Sequence, residues 1–121
     1  MASDPTSHVD LEFPPRPVLV IVDAFVDPEH EEEFNRWYDE KHLPESINCP
    51  GFRIGARYRS SDEKERKYTT LYIVDDEETM STPELAEIRG FEHLTPYVRY
   101  ERRIYRPISS YARDTRTLVR Y

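Results

Sequence analysis

Residues 32–52 read EEFNRWYDEKHLPESINCPGF, and the way this stretch folds decides the architecture of the chain. Phe34, Trp37, Tyr38 and Lys41 recur at helical spacing, with His30 and His42 bordering the same side. Just upstream, Asp27-Pro28 supplies a capping carboxylate and a proline suited to a first turn. Glu29, Glu31, Glu32 and Glu33 lie where the helix dipole favours negative charge. A proline restricts the residue before it, so Pro44 reads as a stop and the spacing predicts one helix over residues 28–43. Pro50-Gly51 then signals a turn.

Strands flank this helix. Residues 18–25, VLVIVDAF, form a nearly continuous apolar run, as expected of a strand covered on both faces. Asp23 interrupts it on the side of Leu19, Ile21 and Phe25, as a solvated edge position or a binding group. Phe52–Arg59 alternates, with Phe52, Ile54, Ala56 and Tyr58 on one face and Arg53, Gly55, Arg57 and Arg59 on the other. The charged loop SSDEKER joins it to KYTTLYIV at residues 67–74, a hairpin. Ser81-Thr82-Pro83-Glu84 caps a second helix, whose apolar side is Leu85, Ala86 and Ile88 and which Gly90 ends. Residues 91–100 contain Pro96 and read as a short helical turn, and residues 102–108, RRIYRPI, as the last strand. Residues 1–17, with Pro5, Pro14, Pro15 and Pro17, read as an extended or disordered arm, and residues 109–121 as a basic aromatic tail. The order βαββαβ over residues 18–108 predicts a ferredoxin-like α+β domain. Its plan is a four-stranded antiparallel sheet with both helices on one face. The other face has no cover of its own, so we expect a homodimer whose sheets pack face to face into a barrel.

Bulk properties agree. The 121 residues suit one domain, and 37% hydrophobic against 34% charged residues gives a single copy a thin core. The rings of nine Tyr and five Phe partly compensate. A net charge of −7 argues against nucleic acid as a partner. Residues 97–121 hold seven Arg against Glu101 and Asp114, +5 in all, which leaves −12 on the rest of a chain whose total is −7. That Arg-rich end is a solvated basic tail, or it meets a partner subunit or an anionic ligand. The single Cys49 excludes an internal disulfide and a cysteine zinc cluster, and reads as a structural thiol. No apolar run reaches transmembrane length and the first residues lack a signal-peptide pattern, so the expectation is a cytoplasmic protein without a membrane partner.

FNRWYDEKHLP, PGFRIGARYR and YTTLYIVDD, followed by the capped helix and RRIYRPI, resemble the dimeric α+β barrel superfamily. Within it they are most similar to the EthD-like branch. Its helix reads Phe-x-x-Trp-Tyr-Asp-x-x-His-Leu-Pro, followed by Pro-Gly-Phe and a strand with Ala-Arg-x-Tyr. Phe34, Trp37, Tyr38, Asp39, His42, Leu43, Pro44, Pro50, Gly51, Phe52, Ala56, Arg57 and Tyr58 stand in those places. The resemblance spans residues 18–108 and implies the barrel fold. It leaves the reaction open, because the superfamily holds cofactor-free oxygenases, polyketide cyclases, lactone isomerases and haem-degrading enzymes. It also implies that a histidine at the place of His42 faces a pocket between helix and sheet.

His42 is the first candidate for chemistry, since imidazole exchanges protons near neutral pH without tuning. In the last helical turn the dipole favours its charged form. Tyr38, one turn earlier, is placed to bond the ring or a shared ligand, and Asp39 to orient it. The competing reading is that His42 ends the helix and bonds a backbone carbonyl. Trp37, Tyr58 and Tyr72, with Tyr68, are candidates to line an aromatic cavity for a flat ring, or simply to fill the core. Arg57, and with it Arg106, is a candidate anion holder, and His93 a second acid or base near the substrate. Arg57 and Arg106, both within strands, are otherwise exposed or at the dimer seam. His30 and His42 are twelve residues apart, about 18 Å along a helix, which is no metal spacing. Three Gly make no phosphate-binding loop, and no Ser stands in a nucleophile elbow. The expectation is an enzyme without metal or cofactor. It would do acid–base chemistry (cyclisation, isomerisation or a lyase step) on an aromatic or polyketide-like small molecule. The alternatives are a non-catalytic ligand-binding barrel, a cofactor-free oxygenase or a haem-handling protein.

Overall fold

The computed structural model describes residues 15–121. The arm read over residues 1–17 lies, up to residue 14, outside the described residues. Four antiparallel strands, β1 (Val18–Val26), β2 (Phe52–Arg59), β3 (Lys67–Val74) and β4 (Val98–Tyr105), form a sheet in the order β2-β3-β1-β4. Helical segments follow β1 and β3 and pack on one face, the ferredoxin-like α+β plan expected from the order of elements. Val18, Val20, Ala24 and Val26 of β1 are buried beneath that layer, and the register sets Val74, Tyr72, Thr70 and Tyr68 of β3 on the same side. The opposite face carries Leu19, Ile21, Asp23 and Phe25 beside Ile73, Leu71, Thr69 and Lys67. No element of the described residues covers that face, so the apolar run of β1 is only half matched by a layer of its own chain. Asp23 lies there, taking hydrogen bonds from Thr69 Oγ1 and Arg103 Nη2, each at 2.6 Å.

The first connection departs from a single helix stopped at Pro44. A 3-10 turn, Pro28–His30, leads into α1 (Glu31–Trp37), then a π-helical turn, Tyr38–His42, then α2 (Leu43–Ile47). Proline has no N–H and its ring clashes with the carbonyl four residues back. Widening the preceding turn by one residue moves that carbonyl aside, so Pro44 falls in the first turn of α2 and the chain stays helical to Ile47. Leu43 N–H accordingly donates to the Tyr38 carbonyl, and Ser46 Oγ donates to the His42 carbonyl at 2.8 Å. The Asp27 carboxylate makes no capping bond. Its backbone carbonyl instead accepts from His30 N–H at 2.9 Å.

The second connection is more broken than predicted. Asp76 caps a 3-10 turn, Glu77–Ser81, and Thr82 Oγ1 caps α3 (Pro83–Ile88) at 3.3 Å. A further 3-10 turn, Glu92–Tyr97, leads into β4, which begins at Val98 rather than at residue 102 and ends before Pro107. Residues 109–121 contain an exposed hairpin, β5 (Ser109–Ala112) and β6 (Thr117–Arg120), where a plain tail was expected.

A second correction concerns β2. Its register on β3 shifts between Phe52 and Ile54, a β-bulge at Arg53. Phe52 faces the helices together with Gly55, Arg57 and Arg59, while Ile54, Ala56 and Tyr58 turn to the open face. Gly55 lies under α2, where a Cβ would come within 2.9 Å of Leu43 Cδ1 and 3.0 Å of Ile47 Cδ1. The core divides into two clusters. One gathers Val18, Val20, Phe52, Tyr72, Val74, Met80 and Leu85, and the other Ala24, Phe34, Trp37, Tyr38, Phe91 and Leu94. Leu43 packs against both.

Candidate active site

Where the two clusters meet, they leave a cavity of about 290 Å³. Val20, Phe52, Tyr72, Met80 and Leu85 give it apolar walls, and the π turn with α2 supplies Tyr38, His42 and Ser46. Phe91, from the link after α3, and Tyr100 of β4 close another side, their rings 5.0 Å apart edge to face.

His42 is held by ring contacts alone. It stacks on Trp37 at 4.7 Å between centroids and 12° between planes, and meets the edge of Tyr38 at 4.9 Å. Trp37 is in turn fixed by Nε1 donating to Glu92 at 2.8 Å, and Lys41 holds the other oxygen of that carboxylate. The imidazole Nδ1 is buried without a hydrogen-bond partner. Burial pushes the pKa of His42 down to about 4, against a weaker upward pull from Glu92. The dipole reading is therefore overturned. The helix runs on past His42, desolvation dominates, and the ring is neutral at pH 7. Asp39 does not orient it, because its carboxylate is taken by Arg57 Nη1 at 2.7 Å.

Tyr38 and Tyr72 are joined hydroxyl to hydroxyl at 3.2 Å inside the cavity. Tyr72 reaches Ser46 Oγ only at 3.5 Å, the limit of a hydrogen bond. Burial raises the pKa of both phenols, so both keep their protons throughout the neutral range. Either hydroxyl can be the donor of the pair.

The other expected residues fall elsewhere. Tyr58 is 55% exposed on the open face, because the bulge reversed the alternation of β2. Arg57 faces the helices: Asp39 and Asn35 bind its Nη atoms, its Nε is buried without a partner, and its guanidinium lies 4.6 Å from the centre of the Tyr38 ring. It borders a separate groove with Asn35, Tyr58 and Tyr68 and does not line the His42 cavity. His93 sits at the surface against Glu33 at 2.6 Å. Trp37 backs His42 without lining the cavity. Sequence reasoning missed Ser46, Arg89 and Arg102. Ser46 was hidden by reading Pro44 as a stop, and Arg102 by starting β4 too late to read its faces. A larger cavity of about 640 Å³ lies near Arg16, Tyr121 and the pairs Arg53–Asp75 and Arg106–Glu77. Of the residues weighed from the sequence it contains only Arg106, which holds Glu77. Among the described residues no group of three or more His, Cys, Asp or Glu is placed to hold a metal ion, and no helix is long and apolar enough to cross a membrane.

The family model described as "Domain of unknown function (DUF4286)" matches residues 18–102. The chain belongs to this family. The matched span of the DUF4286 domain takes in the whole cavity and stops short of the β5–β6 hairpin. No curated protein matches the sequence. Among solved structures, a dimeric ferredoxin-like protein from an uncultured marine organism is 17% identical with a TM-score of 0.62, covering 80% of this chain and 92% of that one. An EthD family protein from Bacillus halodurans is 17% identical with a TM-score of 0.56, covering 71% of this chain and 96% of that one. SnoaB, a cofactor-independent oxygenase from Streptomyces nogalater, is 15% identical with a TM-score of 0.56, covering 74% and 91%. These likenesses show the ferredoxin-like α+β fold of the DUF4286 domain.

Proposed function

We propose that this DUF4286 domain is an enzyme that moves a proton within a small conjugated carbonyl compound, with His42 as the base. The observation that carries the reading is a neutral, unbonded imidazole in an apolar cavity beside two protonated phenols. His42 takes a proton from a carbon next to the carbonyl. The electron pair passes to the carbonyl oxygen, where the Tyr72 O–H donates a hydrogen bond to the developing charge. Return of the proton to a second atom completes an isomerisation, and attack by the enolate carbon on a second carbonyl completes a cyclisation. A base of pKa about 4 needs a substrate whose C–H is already acidic, flanked by carbonyls or joined to an aromatic ring. A cavity of about 290 Å³ lies at the small end for ligand pockets and fits a compound of one or two rings.

The test is hydrogen–deuterium exchange of bicyclic aromatic ketones such as 2-tetralone in D2O, followed by NMR. Wild-type protein is expected to accelerate exchange, and His42→Gln to lose about 10²-fold or more of that acceleration. Wild-type exchange by His42→Gln would refute the role. The likeness to SnoaB favours a second reading, in which the deprotonated substrate passes electrons to dioxygen. Oxygen uptake in step with substrate loss would select it. We also propose that two copies pair through the open sheet face; the marine ferredoxin-like protein is described as dimeric.

A further inference from the structure

The mouth of the His42 cavity runs against the acidic balance of the chain, whose net charge is −7. Arg89 and Arg102 line both the cavity and an adjoining groove that includes Met80, Ser81 and Ile104. Arg89 lies in extended backbone after α3, and its Nη2 donates to the Met80 carbonyl at 2.7 Å, which fixes the side chain. Arg102 stands on the helix-facing side of β4, level with Val22. Among the described residues it makes no hydrogen bond and no ion pair. Arg53, Arg57, Arg66, Arg103 and Arg106, by contrast, each hold a carboxylate. The acid of the groove, Glu77, is already bound by Arg106. Partial desolvation, and then the Arg89 charge, lower the pKa of Arg102 from the usual arginine value; the guanidinium stays charged at neutral pH, and an anion beside it would offset both costs.

We propose that Arg89 and Arg102 anchor an anionic group at the mouth of this cavity, and that the ligand is an aromatic carboxylic acid with its ring inside against His42. This rests on the cavity being the substrate site. The apolar walls take the ring, and a guanidinium fork matches a planar carboxylate. The arrangement places the acid at the entrance and the reacting carbon within.

Calorimetric titration with 2-naphthoate, its methyl ester and inorganic phosphate tests the anchor. The acid is expected to bind at least about ten-fold tighter than the ester, the size of one charge-assisted hydrogen bond. Arg102→Gln and Arg89→Gln should each weaken the acid about ten-fold and leave the ester unchanged, with Arg102→Lys in between. Thermal melting checks that the variants fold. Equal affinity for acid and ester, binding of neither, or unchanged affinity for the acid in Arg102→Gln overturns the proposal. Phosphate competing at the acid's own affinity overturns the choice of carboxylate. An acid that binds through the arginines while His42→Gln leaves ketone exchange untouched would retain the anchor and refute the base.

Discussion

A histidine in water titrates near 6.5, whereas His42 is expected to stay neutral down to about pH 4 because its surroundings desolvate the cation. Two consequences follow at the scale of this residue. Catalysis by a neutral base should hold level from pH 7 to about 5 and fall only as His42 protonates near 4, which a pH–rate profile reads directly. The second concerns stability. The folded pKa is depressed, so between 6.5 and 4 the unfolded chain binds a proton that the folded chain refuses. Stability present above 6.5 is therefore lost as pH falls through that window, by about 3 kcal/mol at most. Urea melts at pH 7 and pH 4.5 should show a smaller difference for His42→Gln than for wild type, and equal differences would contradict the burial. Tyr72→Phe should slow exchange about ten-fold or more by removing the donor to the enolate, with the melting temperature checked in parallel. Tyr38 and His42 were legible as a pair because a spacing of four puts two side chains on one helical face. Arg57 was misread because the alternation of a strand was carried across a bulge that leaves no mark in the letters.

At the scale of elements, the site depends on two irregularities. The π turn keeps Tyr38 and His42 together while the chain passes Pro44, and the bulge at Arg53 brings Phe52 to the cavity while sending Tyr58 away. Neither breaks the pattern of apolar residues, so neither could be read from it. Proline looks like a stop whether a helix ends or widens. Strand identity, the caps at Thr82 and Pro83 and the hairpin of β2 with β3 depend on local chemistry and were legible. The start of β4 was not, because the 3-10 turn and the strand share one run of aromatic and charged residues. Glycine marks two close approaches. Gly51 has φ +88°, and a Cβ there would sit 2.3 Å from Thr79 Oγ1. Gly51→Ala is expected to cost about 2–3 kcal/mol, through left-handed backbone and a clash together. Gly55→Ala meets the ends of Leu43 and Ile47, which can shift, and should cost about 1 kcal/mol. Urea denaturation ranks the two, and the reverse order would refute this account of the helix–strand contact.

For the whole molecule, the decisive feature is the side of the sheet that no element of the described residues covers. Leu19, Ile21, Leu71 and Ile73 lie there in register, around the Asp23–Arg103 pair. A second copy would cover them and shield that ion pair from water. Light scattering is expected to give the mass of two chains for wild type, and Leu71→Asp, which sets a charge at the centre of the seam, should give one. A wild-type monomer at micromolar concentration would refute the pairing. The need for a cover was legible from the order of elements, because helices that follow β1 and β3 fall on the same side. The hairpin at the end of the chain was not legible, since its strands are four residues each and exposed.

The stacking of Trp37 on His42 makes the protein its own optical gauge. The chain has one tryptophan, so its fluorescence reports a single place. An imidazolium quenches a stacked indole far more than a neutral imidazole does. Emission should therefore fall as His42 takes up a proton, and change again when a ring enters the cavity behind it.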